Sequence, residues 1–301
     1  MTIAAKSTGI DGVVQPGACI ELVKTGFDFT EGPIWHSGEQ SLIFSDILGN
    51  SIYSWSEAAG LKTLRRNSYM ANGNAYDQQG RVVTCEHATS RLTRTDFANG
   101  GEYEVLASHY EGRELNSPND VVVKRDGTIY FTDPTSGRSD GFGIPREPEL
   151  IFSGVFRLEP ESGNLTLLID DFAKPNGLCF SRDELLLFVN DTVRQHIRVF
   201  DVLPDGGIEN GRLFADLTGD KPGVADGMKI DQAGNLFSCG PGGIHIFDQS
   251  GELLGVFETP EFAANFVFGD ADQQTLYITA STSLYRVRVD VPGVATFTPS
   301  T

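Results

Sequence analysis

The stretch VVVKRDGTIYFTD, residues 121–133, contains the strand–turn–strand pattern from which the fold can be predicted. A short apolar run, VVV, leads into the polar turn KRDG, and a β-rich run, TIYFTD, follows it. A glycine-containing turn between runs of β-branched and aromatic residues is typical of antiparallel strands. One such unit predicts only a pair of strands, so the fold depends on whether the pattern recurs along the chain.

The same plan recurs in six segments of the chain. Each contains an apolar strand, a polar turn, a β-rich strand and a third strand, and a fourth strand is often visible, as in EYEVLAS or NLTLLID. The segments begin about 40 to 60 residues apart, at Ile34, Ala75, Val121, Cys179, Lys229 and Val267. Four strands at this period predict an all-β fold, a six-bladed β-propeller with a central channel and four antiparallel strands per blade. An eight-stranded sandwich with a second domain fits six similar units poorly.

The two ends of the repeat array indicate how the ring closes. The last repeat ends near Val289 without a fourth strand, whereas CIELVKTG, residues 19–26, reads as a strand before the first repeat. Because an open ring leaves strand edges bare, we expect this N-terminal strand to complete the last blade. The sequence therefore predicts a flexible arm over residues 1–18, one propeller domain over 19–290 and a C-terminal tail over 291–301.

Composition restricts the class of protein. The 301 residues are 40% hydrophobic and 21% charged, which is enough to bury a large core. A net charge of -18 disfavours nucleic acid as a partner. No apolar run is long enough for a transmembrane helix, and the first residues lack the apolar core of a secretion signal. Four scattered cysteines without a CxxC pair indicate reduced thiols. We expect a cytoplasmic protein without a membrane partner, either a monomer or a small homo-oligomer.

A polar residue stands just before the first strand of every repeat. The motifs TEGPIW, ANGNAY, SPNDVV, KPNGLC, VADGMK and AANFVF place these residues at corresponding positions: Glu31, Asn72, Asn119, Asn176, Asp226 and Asn265. Since the innermost strand of each propeller blade lines the channel, these side chains should converge at one end of it. Hard oxygen donors suit Ca²⁺, Mg²⁺ or Mn²⁺ better than a structural zinc ion, and a cation would offset the cost of burying carboxylates. Ordinary turn chemistry and a purely structural cation are the alternatives.

Five motifs together resemble the gluconolactonase / senescence marker protein (regucalcin) family, and in particular its bacterial gluconolactonase branch. They are EGPIW, RELNSPNDVVVKRDGTIYFTDP, KPNGLCFS, GVADGMKID and TLYITASTSLYRV. The resemblance covers about residues 19 to 290. It implies a six-bladed propeller that holds one divalent metal ion in its channel and hydrolyses sugar lactones such as glucono-1,5-lactone. Ca²⁺ is the expected ion, with Mg²⁺, Mn²⁺ and Zn²⁺ as alternatives.

Residue by residue, the resemblance implies that Glu31, Asn176 and Asp226 bind the metal and that Asn119 lies beside metal and substrate as a further ligand. It also implies that Asp226 is the general base, taking a proton from water while the lactone carbonyl is polarised by the metal. Asn119 and Asn72 would orient the substrate. Animal members have an arginine two residues before the SPND asparagine, where this chain has Ser117. Arg113 is the candidate for the missing contact with a sugar hydroxyl.

A second polar layer follows the second strands of the repeats, at Asp46, Glu86, His87, Asp133 and Asp191. Of these, His87 is either a proton shuttle or substrate contact at the channel mouth, or a histidine that packs between blades. His196 and His245, in third strands, are expected to be structural. The long loop PTSGRSDGFGIPREPELIFS, residues 134–153, is either a lid whose Phe142 and Ile144 touch the substrate or a surface loop.

Two functions compete with a lactonase acting on aldonolactones. The first is a calcium-binding regulatory or scaffold propeller without catalysis. The second keeps the site but hydrolyses another cyclic ester or an organophosphate, because fold alone does not fix the substrate. GxSxG, HExxH and P-loop motifs are absent from the sequence, which disfavours those other catalytic classes.

Overall fold

Six antiparallel sheets of at least four strands account for the main body of the structure, as the repeats predict. The structure is a computed structural model, and it describes residues 2–4, 7–8, 10, 12–14, 17–295 and 297. Within these residues no helix has the length and hydropathy of a membrane span. A single turn of 3-10 helix, Ser136–Arg138, is the helical element of the described chain.

The strands follow one another blade by blade. The chain begins with β1 (Thr2–Ala4), β2 (Ser7–Thr8) and β3 (Cys19–Thr25). Blade 1 contains β4 (Thr30–His36), β5 (Ser41–Asp46), β6 (Ser51–Ser56) and β7 (Gly60–Arg66). Blade 2 contains β8 (Ala71–Tyr76), β9 (Val82–Glu86), β10 (Arg91–Thr95) and β11 (Tyr103–Ala107). A separate hairpin of β12 (His109–Tyr110) and β13 (Arg113–Glu114) leads to blade 3.

The second half of the ring repeats this arrangement. Blade 3 contains β14 (Val121–Val123), β15 (Ile129–Asp133), β16 (Ser153–Glu159) and β17 (Asn164–Phe172). Blade 4 contains β18 (Pro175–Phe180), β19 (Leu186–Asp191), β20 (His196–Val202) and β21 (Ile208–Asp216). Blade 5 contains β22 (Met228–Ile230), β23 (Leu236–Gly240), β24 (Gly243–Phe247) and β25 (Leu253–Glu258). Blade 6 contains β26 (Ala263–Gly269), β27 (Thr275–Ala280) and β28 (Ser283–Arg288), and its fourth strand is β3.

Closure of the ring by the N-terminal strand is confirmed. β3 runs antiparallel to β28, with Thr25 opposite Ser283 and Leu22 opposite Tyr285. Ile20 of β3 is 1% exposed and belongs to the apolar core shared by blades 5 and 6. The closing strand therefore contributes both main-chain pairing and buried apolar surface to the last blade.

The described parts of residues 1–18 also lie on the propeller, which the expectation of a loose arm did not include. β1 pairs with β3, and β2 pairs with β25. Val13 and Val14 are buried in the same apolar core. Burial of these apolar side chains is favourable in free energy, so it holds the segment against blades 5 and 6. The flexibility of the arm stays a prediction.

The side chains of the inner strands make the packing between neighbouring blades. β4 and β26 are almost completely buried along their length, whereas β7, the outermost strand of blade 1, is half-buried or exposed. The four cysteines are free, as expected, and three of them, Cys85, Cys179 and Cys239, are buried in or beside this packing.

Three carboxylates at the ends of second strands hold the loops that lead into the inner strands. Asp46 accepts the main-chain N–H of Phe29 at 2.9 Å, and Asp133 accepts those of Asn116 and Ser117 at 2.8 Å. Asp191 accepts the N–H of Ala173 at 2.8 Å. Each bond uses a buried carboxylate to satisfy donors that no strand partner reaches. Most of the predicted second polar layer is thus a set of loop anchors.

Shortening a buried side chain of the closing strand should lower the stability of the propeller. We expect Ile20→Ala to lower the free energy of unfolding by about 3 kcal/mol, because it removes buried methylenes and leaves a cavity. Denaturant-induced unfolding followed by tryptophan fluorescence measures this loss. Ile151→Ala is the matched control because Ile151 is 92% exposed. Equal stability of the two variants would contradict the role given to β3.

Candidate active site

The first residues of the inner strands are fixed by hydrogen bonds to the preceding blade. Asn72 O accepts from Ser45 Oγ at 2.7 Å, and Asn176 O accepts from Thr132 Oγ1 at 2.8 Å. Asn119 O accepts from the Gly73 N–H at 2.9 Å. Because each carbonyl is directed sideways to its neighbour, these residues occupy equivalent places around the channel. We call Glu31, Asn72, Asn119, Asn176 and Asp226 the ring residues, and all five are buried.

The sixth ring position holds Ala264, so the expectation that Asn265 occupies it is wrong by one residue. Ala264 O accepts the Gly227 N–H at 2.9 Å, which is the bond that Asn119 O makes with Gly73. The register of β26 against β27 shifts between Ala263 and Asn265. In the first repeat, Glu31 lies three residues before Ile34, where the repeat begins. The same count back from Val267 reaches Ala264 and would have revealed the error.

Two ring carboxyl groups meet at the channel axis. The Asp226 carboxyl group lies close to Glu31 and to the Asn176 side chain, and both act on its ionisation. Burial, together with the nearby Asp120 carboxylate, raises the pKa of Glu31 to about 7. Burial, together with Glu31 and Asp120, raises the pKa of Asp226 well above its usual value. Two carboxyl groups this close cannot both ionise cheaply, so they share a proton unless a cation separates them.

These three side chains fit a hard divalent cation. Glu31 and Asp226 supply carboxylate oxygens and Asn176 supplies a carboxamide oxygen, which are the donors that Ca²⁺ and Mg²⁺ prefer. Asn119 lies next to them in the ring, and its side chain makes no hydrogen bond to another described residue. No three His, Cys, Asp or Glu side chains converge at one point in the described chain. Any ion here would therefore depend on the asparagines as well as on the two acids.

Another layer, which we call the lower layer, lies one residue further along the inner strands than the ring residues. The sequence patterns did not reveal it. Four blades have glycine there, whereas blades 3 and 6 have Asp120 and Asn265. Asn265 Nδ2 donates to Glu31 Oε2 at 3.1 Å, and Lys229 Nζ donates to Asn265 Oδ1 at 3.2 Å. A lysine in VADGMKID reads as an ordinary strand residue, so Lys229 becomes visible only once blades 5 and 6 are side by side.

His87 connects a ring residue to the long loop. Asn72 Nδ2 lies 2.9 Å from His87 Nε2, and His87 Nδ1 lies 2.8 Å from the Phe142 carbonyl. Burial lowers the pKa of His87 to about 4, so the ring is neutral. Nδ1–H therefore donates to Phe142, and Nε2 accepts from the Asn72 amide. With both nitrogens engaged, the geometry favours a positioning role over a proton shuttle.

The long loop is folded onto the channel mouth by its own polar contacts. Arg138 is buried and donates to Asn116 O at 2.8 Å, to Glu147 O at 2.8 Å and to Glu114 Oε2 at 2.7 Å. The Phe142 ring meets Phe29 edge to face, with centroids 4.9 Å apart. Ile144 is 52% exposed. Whether the loop opens as a lid stays a prediction.

Phe29 and Phe142 extend this contact towards blade 6. The Phe29 ring also lies 6.2 Å from Phe262, which precedes the inner strand of that blade. The two phenylalanines that precede inner strands were not singled out in the sequence, because they stand in loops without a polar motif. Together the three rings give the channel mouth an apolar rim.

Ser117, which stands where animal members have an arginine, and Arg113, the candidate to replace that arginine, have other surroundings. Ser117 is buried and accepts the Gly137 N–H at 2.8 Å, so it supports the loop from below. Arg113 is exposed in β13 and donates to Glu149 O at 3.3 Å. Among the described residues it makes no hydrogen bond to the ring. Its role in substrate binding stays a prediction.

Comparison with known proteins places the chain in a family. The family model described as "SMP-30/Gluconolactonase/LRE-like region" matches residues 29–282. A gluconolactonase from Zymomonas mobilis is 31% identical over 95% of this chain and 86% of its own. A pentonolactonase from Haloferax volcanii is 25% identical over 86% of this chain and 84% of its own.

A solved structure agrees with these sequence relatives. A gluconolactonase from Xanthomonas campestris is 34% identical and superposes with a TM-score of 0.87 over 96% of this chain and 97% of its own. The region that the family model matches, residues 29–282, includes the inner strands of all six blades and every ring residue. The chain therefore belongs to the SMP-30/gluconolactonase/LRE-like family.

Proposed function

We propose that this protein is a divalent-metal-dependent lactonase that opens the ring of sugar lactones such as glucono-1,5-lactone. The observation that carries the proposal is the buried contact of Glu31 with Asp226 beside Asn176, in a chain whose relatives include a gluconolactonase and a pentonolactonase. A pair of buried acids with raised pKa values is costly to stability, which is typical of a functional site.

The metal proposal rests on the donor set. Glu31, Asn176 and Asp226 would hold the ion, with Asn119 beside it, and Ca²⁺ suits such oxygen ligands best. Mg²⁺, Mn²⁺ and Zn²⁺ are the alternatives to compare. When bound, the ion supplies Lewis-acid polarisation of the lactone carbonyl.

The residues of this chain supply the remaining chemistry. Asp226 takes a proton from the attacking water as the water oxygen bonds to the carbonyl carbon. The ring C–O bond then breaks, and the proton passes to the departing alkoxide, which leaves a hydroxy acid. Asn119 and Asn72 orient the lactone by hydrogen bonds. The apolar rim of Phe29, Phe142 and Phe262 offers an apolar surface to the C–H face of a sugar ring.

Metal removal and a single substitution test the proposal. We expect EDTA-treated protein to lose hydrolysis of glucono-1,5-lactone above the spontaneous rate, and Ca²⁺ or another divalent ion to restore it. Asp226→Asn should lower kcat by about 10²-fold or more, because it removes the base. A pH-indicator assay measures both effects, and Asp220→Asn, at an exposed position, is the control.

The outcomes separate the candidate functions. Full turnover by Asp226→Asn with metal bound would remove this residue as the base. Stoichiometric metal binding without turnover would remove the aldonolactone assignment. A screen of other cyclic esters and organophosphates would then decide between a different substrate and a binding protein.

Stability of the metal-free protein should depend on pH. The folded pKa of Glu31, about 7, lies above its usual value of 4.5, so its stabilising contribution is full below about pH 4.5 and is lost as the pH rises through 7. In EDTA we expect Tm to fall by about 5 °C between pH 5 and pH 8. Differential scanning fluorimetry measures it, and Glu31→Gln should make the fall smaller. Identical pH profiles of the two proteins would contradict the assignment.

Replacing His87 should disturb the substrate site. His87→Phe leaves the Asn72 amide and the Phe142 carbonyl without their partner, so we expect KM to rise about 10-fold and stability to fall by about 2 kcal/mol. Steady-state kinetics and denaturant unfolding measure the two effects. His109→Phe, at an exposed histidine, controls for the added aromatic ring. Unchanged KM would show that the link from Asn72 to the loop does not order the site.

A further inference from the structure

Lys229 brings a positive charge beside the acids of the channel. It lies in β22, three residues after Asp226, and its half-buried ammonium group donates to Asn265 Oδ1 at 3.2 Å. Asn265 Oδ1 also accepts the Phe266 N–H at 2.9 Å. Because the oxygen of the amide is held twice, its Nδ2 is turned towards Glu31 Oε2, which it reaches at 3.1 Å.

Asp120 stands at the same register position as Asn265, in the blade across the channel. Its side chain is buried, and its Oδ1 accepts the Val121 N–H at 2.9 Å. Its Oδ2 is buried without a hydrogen-bond partner among the described residues. A buried carboxylate with one free oxygen needs a compensating positive charge.

The electrostatic neighbourhood identifies that charge. Burial raises the pKa of Asp120, and Lys229 acts in the opposite direction as the first opposing influence. Lys229 is also the cation that opposes the raised pKa of Glu31. No Lys or Arg of the described chain forms an ion pair with Glu31, Asp120 or Asp226 within 4.0 Å, so this compensation acts over a longer distance.

Lys229 also marks the boundary between the two ends of the channel. Beyond it, the inner strands border an open cavity of about 460 Å³, lined by Tyr76, Val121, Cys179, Phe180, Lys229 and Phe297. The ammonium group therefore lies between this cavity and the ring residues. A long side chain that enters from the cavity can bring a charge under the ring without occupying it.

We propose that Lys229 is a resident counter-cation of the channel, which compensates Asp120 and positions Glu31 through the Asn265 amide. The lower layer thus contains its own positive charge, and the oxygens of the ring residues above it stay available to bind a ligand. Lys229 is a positioning residue, since it contacts Asn265 rather than any reacting atom. The charge-compensation test below needs neither lactone nor ion, so it stands or fails apart from the proposed function.

A double-mutant cycle tests the charge compensation. Lys229→Met keeps the length of the side chain and removes its charge, so in EDTA we expect Tm to fall by about 5 °C or more. Asp120→Asn added to that variant should recover more than half of the loss, because the uncompensated carboxylate is gone. Lys62→Met, at an exposed lysine, is the matched control and should leave Tm unchanged.

The positioning role has a separate kinetic readout. Lys229→Met and Asn265→Ala should each lower kcat about 10-fold, and the double variant should lose no more than either alone, because both act through the same bond to Glu31. The proposal is overturned if Lys229→Met is as stable as Lys62→Met, or if Asp120→Asn brings no recovery. If Lys229→Met does not fold, folding of its combination with Asp120→Asn supports the proposal, and failure of both overturns it.

Discussion

Hydrogen bonds between neighbouring blades hold the site together. They reach the main-chain carbonyls of the ring residues, as Ser45 does at Asn72 and Thr132 at Asn176. A carbonyl held sideways fixes the direction of its own side chain, so the position of each ring side chain follows from the backbone. Glycine at the next position in four blades lets adjacent strands come this close; a Cβ at Gly32 would lie 2.1 Å from Asn72 O. The functional side chains can therefore vary while the frame that aims them stays the same.

The charged side chains of the channel lie in two layers that have different electrostatic surroundings. In the ring, burial raises the pKa values of Glu31 and Asp226, and the nearby Asp120 carboxylate adds to the effect. One residue further along, Asp120 and Asn265 face the positive charge of Lys229. Around both layers, main-chain N–H groups of loops donate hydrogen bonds to the carboxylates of Asp46, Asp133 and Asp191. Carboxylates of similar burial thus differ in role because their nearest donors differ.

The sequence predicted the fold because the fold is repetitive. Six copies of strand, turn and strand overdetermine the blade, and the missing fourth strand near Val289 indicated the closure by residues 19–26. Most of the ring was predictable for the same reason, since equivalent positions in a repeat become neighbours in space. The error at Asn265 arose because the ring position of blade 6 holds an alanine, so the polar residue beside it was taken instead.

What the sequence could not reveal depends on contacts between distant segments. The bond between His87 and Phe142 joins positions 55 residues apart, through a loop that no other repeat possesses. Lys229 and Asp120 look unremarkable in their own strands and matter only across the channel. The loop anchors were visible as acidic residues but not as partners of main-chain N–H groups, because a turn's donors leave no mark in the sequence.

The closing strand has a consequence for how the chain is made. Thr25 of β3 and Ser283 of β28 are 258 residues apart, so β3 is synthesised first and waits for the last blade to emerge from the ribosome. Contacts between such distant segments are entropically costly and form slowly. Until they form, β3 and the outer edge of β28 remain open to pairing with another chain. The interval between the translation of the first and last strands is therefore when domain swapping has its best opportunity.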